Sequence, residues 1–183
     1  MRLSSLISAT LSFVAFTAAS TFAANPMYDS WAKHKPGTSV TLKSATEASG
    51  MKTDSEQVYT LKEVTPEKVV IELKSSMIVM GNKTDTPAVT MEIPSGGEAA
   101  PAANATVAAG GATVKTSEET VSVAGKEYKA TVTETTMDAN GMKSSTKTWT
   151  SNDVPNLTLK SVVKTEGAMA SSTTTELSAI DLK

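Results

Sequence analysis

Residues able to carry out catalysis or hold a metal are scarce in this chain. His34 is the single histidine among 183 residues, and the sequence contains no cysteine. A zinc site needs about four nitrogen, sulfur or oxygen ligands in one place, and a nucleophile needs a base held beside it. The sequence therefore predicts no catalytic residue, no metal site and no cofactor. A hydrolase with His34 as its base is an alternative that would require a polar cleft around this side chain.

The carboxylates do not form a recognisable acid–base pair. Glu118 and Glu119 are adjacent in a strand-like run, so their side chains point to opposite faces of the predicted sheet. Asp54 and Glu56 share a face but lie close to a predicted hairpin tip. That position is typical of a solvated edge, and the chain is predicted to be non-enzymatic.

Methionines and tryptophans are better candidates for a binding function. The chain has nine methionines and two tryptophans, and no phenylalanine follows Phe22. Adaptable methionine side chains can line a cavity for varied apolar ligands, although they more often fill gaps in a core. We predict that Trp31, Met77, Met80 and Trp149 contribute to such a ligand-binding surface.

The charge balance excludes one class of partner. With 17 Lys and Arg against 19 Asp and Glu, the net charge is −2 and the two signs are interspersed. This is not the basic surface that a nucleic-acid-binding protein presents. A lipid or other apolar ligand is the predicted partner, and the sequence identifies no protein partner.

The first 23 residues are predicted to be a signal peptide. Arg2 supplies the positive start, residues 6–16 the apolar stretch, and residues 21–23 a small-x-small cleavage site. Cleavage is expected after Ala23, or after Ala24. The protein would then be exported to the periplasm or secreted, and would not be integral to the membrane.

The remaining chain is predicted to form one helix and about eight or nine antiparallel strands. Asn25 and Pro26 are typical of a helix start, and Tyr28, Trp31 and Ala32 make one apolar stripe. Residues 24–93 would hold this helix and a first β-meander, whose fourth strand would span residues 88–93. Residues 94–111, rich in Ala, Gly and Pro, are predicted to be a flexible linker. Residues 112–183 would form a second meander of the same domain.

The two meanders share an order of residues. Ser49-Gly50-Met51-Lys52 corresponds to Asn140-Gly141-Met142-Lys143, and the pair Tyr59-Thr60 corresponds to Trp149-Thr150. Each pair is followed by a Val near a Pro and an aliphatic run. The pattern indicates an internal duplication and a mainly β fold, a strongly curved antiparallel sheet in the form of a half-barrel or open barrel.

An early helix followed by an exported curved sheet resembles the half-barrel carriers of the LolA/LolB and mycobacterial lipoprotein type. The segment Trp149 to Pro155, with Trp31 and Lys35 to Gly37, is also similar to uncharacterised exported bacterial β-proteins. The resemblance implies a lipid or other apolar ligand in the concave face of the sheet. No functional residue of those families maps onto this chain. The alternative is a structural or interaction protein of the envelope or extracellular space without a small-molecule ligand.

Overall fold

The computed structural model describes residues 25–96, 112–139, 142–167 and 170–183. The predicted signal peptide, most of the predicted linker and the Asn140-Gly141 turn lie outside these residues. Nothing in the described chain tests the signal peptide or the linker, and both stay predictions.

The helix forms where its cap signal predicts. Helix α1 spans Pro26–Ala32, and the side-chain oxygen of Asn25 accepts hydrogen bonds from the backbone N–H groups of Met27 and Tyr28. The Asn25 amide also donates to the carbonyl of Pro94 at 2.8 Å. One side chain therefore caps the helix and ties it to the end of a distant strand.

The strands in the described residues form a single antiparallel sheet, so the predicted fold class is confirmed. They are β1 Ser39–Ala48, β2 Met51–Val64, β3 Lys68–Val79, β4 Asn82–Pro94, β5 Thr113–Val123, β6 Lys126–Ala139, β7 Met142–Thr150, β8 Thr158–Glu166 and β9 Ser171–Asp181. Their order is β4-β3-β2-β1-β9-β8-β7-β6-β5, which leaves β4 and β5 as open edges.

Tight turns connect the hairpins that the sequence predicts. Ser49 and Gly50 have φ of 51° and 77°, and Met80 and Gly81 have 49° and 83°. Two consecutive positive φ values match the right-handed twist of the flanking strands. Strand β4 begins at Asn82, whereas the sequence predicted a start at Ala88. Pro87 does not end the strand because β4 is an edge, where a missing N–H donor is tolerated.

The strand register defines two faces. Val40 lies opposite Tyr59 and Ile180, and we call their side the core face. Lys43 lies opposite Glu56 and Glu176 on the other side, which we call the charged face. On β1, residues alternate between the two faces.

The core occupies one end of the sheet. Trp31 of α1 is fully buried in a cluster with side chains from both halves of the chain. Members of this cluster are Val40, Leu42, Leu61, Val69, Ile71, Val123, Ala130, Val154, Leu159 and Leu177. Val154 lies in segment 151–157, which connects β7 to β8. Because α1 lies at this end, it covers the core face there and leaves the far ends of the strands uncovered.

The sheet is strongly curved in its second half. Strands β5 and β9 are four positions apart, a separation of about 19 Å in a flat sheet, yet some of their Cα atoms come within 8 Å. On β6, Ala130 and Val132 of the charged face are buried, whereas Lys129 and Thr131 of the core face are exposed. The second half therefore curls towards the charged face.

Equivalent segments of the predicted duplication occupy equivalent places. Strands β1 to β4 fill four consecutive positions, and β6 to β9 fill the next four in the same order. The paired aromatics differ, however. Tyr59 lies on the core face opposite Val40, whereas Trp149 lies opposite Lys160 on the charged face. Duplication stays a prediction, and it does not place these two aromatics alike.

Candidate functional site

The core face carries an exposed apolar surface beyond the reach of α1. Met51 is 60% exposed, Met77 48%, Val79 39% and Val89 54%. These four side chains lie on the adjacent strands β2, β3 and β4, on the same side of the sheet as the core. We call this set the distal core face.

Hydroxyl groups continue the same side of the sheet next to this surface. Ser44 and Thr175 are bonded at 2.7 Å between their side-chain oxygens, and Thr46 and Thr173 at 3.0 Å. Because these hydroxyls bond to each other across β1 and β9, part of their polar capacity is already satisfied. Thioether and methyl groups therefore lie beside paired hydroxyls, which gives the uncovered half of the core face an amphipathic character.

The four predicted ligand-binding residues do not come together. Trp31 is 0% exposed inside the core cluster. Met77 belongs to the distal core face, and Met80 lies at its rim in the β3–β4 turn, 83% exposed. Met77 follows Ile71 of the core by six residues along β3, about 20 Å of strand. A role of Met77 and Met80 in binding stays a prediction, and Trp31 presents no surface to a ligand in this structure.

Trp149 lies in a polar cluster on the charged face. Its indole N–H donates to Glu119 at 2.9 Å, and the ammonium groups of Lys147 and Lys160 lie 4.9 and 5.9 Å from the ring centroid. Lys147 also pairs with Glu119 at 3.2 Å and with Glu134 at 2.9 Å. The Trp149 indole and the Lys147 ammonium hold the pKa of Glu119 below its usual value. The ring is thus engaged by its own neighbours.

The open depression on the charged face is lined mainly by polar and charged side chains. A depression of about 550 Å³ across β1 to β4 and β9 is lined by Lys43, Asp54, Glu56, Lys83 and Glu176 among other residues. Lys43 pairs with Glu56 at 3.6 Å and Asp54 with Lys52 at 3.7 Å. These carboxylates are occupied by lysines, an arrangement of a solvated sheet rather than of an acid–base pair.

His34 lies just beyond α1 and is partly buried. Its backbone N–H donates to the carbonyl of Trp31 at 3.0 Å, and its Nε2 is buried without a hydrogen-bond partner among the described residues. Burial, together with the neighbouring charge of Lys33, lowers the pKa of His34. Within the described ranges, no three His, Cys, Asp or Glu side chains are grouped so as to hold a metal ion.

Sequence reasoning missed Met51, Val79 and Val89 as members of the exposed surface. Met51 follows the Ser49-Gly50 turn, and Val89 lies two residues after Pro87, so each could be read as a residue flanking a loop. The sequence feature that could have identified them is the alternation of side chains along β2, β3 and β4, which places all three residues on the same face of the sheet as Leu61 and Ile71. It becomes visible only when the register and the limited reach of α1 are known.

No helix in the described residues is long and apolar enough to span a bilayer. No protein-family model matches the chain, and the comparison with curated proteins gives no significant match. Among solved structures, the chain is similar to a LolA superfamily protein, NE2245 from Nitrosomonas europaea. The identity is 12%, and the match covers 87% of this chain and 91% of that chain. With a TM-score of 0.25, this likeness carries no argument about function.

Proposed function

We propose that this is a non-enzymatic, exported β-protein that binds a lipid or another apolar or amphipathic ligand on the distal core face. The observation that carries the proposal is the exposure of Met51, Met77, Val79 and Val89 on three adjacent strands. Met77 and Val79 are successive core-face residues of β3, and Met51 lies diagonally across from Val79; exposed apolar side chains grouped in this way are typical of interaction sites. Methionines supply adaptable contacts, and the neighbouring hydroxyls suit a polar head group.

The short helix leaves the distal core face uncovered, which favours binding of another molecule there over burial in the protein's own core. α1 has only seven residues and covers the core face at one end. Burying one exposed Met or Val side chain contributes about 1 kcal/mol when half of its surface is removed from water. Four such side chains would contribute about 4 kcal/mol before the costs of ordering a ligand. Because the cost of association is of similar or larger size, binding through these four side chains alone would be weak and reversible.

A structural or interaction protein of the cell envelope or extracellular space is the second candidate. The open edges of the sheet favour it, because β4 and β5 each have a single neighbouring strand. In this case the same apolar side chains would contact a macromolecule, and no small ligand would be carried. The experiment below separates the two.

The test is titration of the purified protein with a fluorescent fatty-acid probe. Met77→Glu places a charge in the distal core face, and we expect about tenfold weaker probe binding. Ile78→Glu is the matched control. Ile78 is the next residue of β3 with a similar exposure of 40%, but its side chain points to the charged face, so this variant should bind like the wild type.

Equal loss of binding in both variants would mean that the probe does not bind through the distal core face. Absence of probe binding in the wild type, together with no co-purified lipid by mass spectrometry, would overturn the proposal. Capture of a macromolecule that Met77→Glu abolishes would then favour the structural alternative.

A further inference from the structure

The two edges of the sheet differ in how they are protected. Strand β4 contains Pro87 and Pro94, each lacking an N–H donor, and its register with β3 shifts near Leu73. Proline and bulges are common devices that prevent edge strands from pairing with other chains. Strand β5 contains no proline, and its register with β6 runs without a shift from Thr113 to Val123. In the described sheet, β5 therefore lacks the prolines and the register shift that interrupt β4, although both edges carry charged side chains.

The accessible part of this edge is its first eight residues. Thr113 to Thr120 are all exposed, whereas Val123 is buried in the core cluster. A regular, exposed strand edge offers backbone N–H and C=O groups that can continue a sheet. A partner strand would therefore align with this stretch.

We propose that β5 pairs with β5 of a second copy of this chain, joining two sheets across a two-fold axis. A two-fold axis normal to the sheet keeps each face on its own side. Residues opposite each other in the pair must therefore belong to the same face, which allows only registers centred on a residue. The residue that lies on the two-fold axis therefore defines the register of the β5–β5 pair.

Charge selects Ser117 as that residue. Centred on Ser117, Lys115 lies opposite Glu119 of the second copy, and this pair occurs twice. Centring on Glu118 or Glu119 instead places identical carboxylates directly opposite each other, and centring on Lys115 places two ammonium groups opposite. Like charges in directly opposed positions destabilise a strand pair, whereas opposite charges stabilise it. The pairing extends from Val114 to Thr120.

The local charges are consistent with this register. Within one copy, Lys147 pairs with both Glu119 and Glu134, and Lys115 lies opposite Glu134 across the β5–β6 pair. Lys115 of the second copy would bring a further positive charge to Glu119. Within one copy the Glu119 carboxylate is drawn across β6 to Trp149 and Lys147 of β7, so pairing with Lys115 of the second copy requires this side chain to turn towards the edge.

Sedimentation measurements on the purified protein test the proposal. Seven paired residues make a small interface, so we expect a weak dimer with a dissociation constant of roughly 0.01 to 1 mM. Lys115→Glu should weaken the dimer about tenfold, because it replaces two attractions with two repulsions. Lys143→Glu, an equal charge change on β7, is the control and should dimerise like the wild type.

A mixing experiment makes the register specific. Lys115→Glu and Glu119→Lys should each be mainly monomeric alone. An equimolar mixture should form heterodimers, because both opposed pairs then join opposite charges, one pair in the wild-type order and the other reversed. Hydrogen exchange gives a second reading. Amides of β5 should become slower to exchange as protein concentration rises, while those of β4 should not.

A wild type that is monomeric up to about 1 mM would overturn the proposal. So would a dimer that Lys115→Glu does not weaken, or variants whose mixture does not associate. A dimer weakened by Met77→Glu instead would place the contact on the distal core face. Circular dichroism of each variant confirms that loss of association is not loss of folding.

Discussion

Replacement of Trp31 tests whether the core is organised around the helix. The side chain is 0% exposed, and a tryptophan buries about 150–250 Å². At about 25 cal/mol per Å² this corresponds to roughly 4–6 kcal/mol, an upper bound because the unfolded chain is partly compact. We therefore expect Trp31→Ala to lower the free energy of unfolding by about 3–5 kcal/mol.

Trp31→Phe separates the burial of the ring from the burial of its polar atom. The indole Nε1 is buried without a hydrogen-bond partner among the described residues, and such a group costs about 1–3 kcal/mol. Phenylalanine removes that cost while leaving a smaller void than alanine. The net loss of stability should be at most about 1 kcal/mol.

The assay is urea denaturation followed by circular dichroism, with linear extrapolation to water. Met80→Ala is the control, because Met80 is 83% exposed and its loss should change stability by less than about 0.5 kcal/mol. If Trp31→Ala remained within about 1 kcal/mol of the wild type, α1 would not be docked through this side chain. Probe binding that survives Trp31→Phe would agree with a tryptophan enclosed in the core.

Three further changes follow from the local chemistry. The pKa of His34 is lower in the folded chain than its ordinary value. The contribution of neutral His34 to the free energy of unfolding is therefore fully present above about pH 6.5 and is lost as the pH falls through the folded pKa. Denaturation curves at several pH values should show a smaller decline in stability for His34→Gln. Because the pKa of Glu119 is lowered, the fluorescence of Trp149 should titrate below about pH 4.3, and a midpoint above that pH would contradict the hydrogen bond. Gly50 has φ of 77° with no atom within 4 Å of an added Cβ. Gly50→Ala should therefore lower the free energy of unfolding by about 1 kcal/mol, measured by denaturation, through backbone strain alone. An unchanged denaturation midpoint would mean that the turn relaxes.

The sequence alone determined the elements of this protein, because their signals are local. Asn25 and Pro26 specify the start of α1 through capping and a fixed φ. Alternation and Gly-containing turns specify the hairpins. The scarcity of histidine and cysteine limited the chemistry. The prediction was wrong at the start of β4, which includes residues 82–87. A proline such as Pro87 is tolerated there because the strand lies at an edge of the sheet.

Only the tertiary structure decided which side chains share a surface. Strand order and register are set by contacts between residues far apart in the chain, so Trp149 and Tyr59 fall on opposite faces despite their similar sequence contexts. The short reach of α1 decides that Ile71 is enclosed and Met77 is exposed on the same strand. Burial depends on what lies above a residue, and alternation along a strand records only the side to which that residue points.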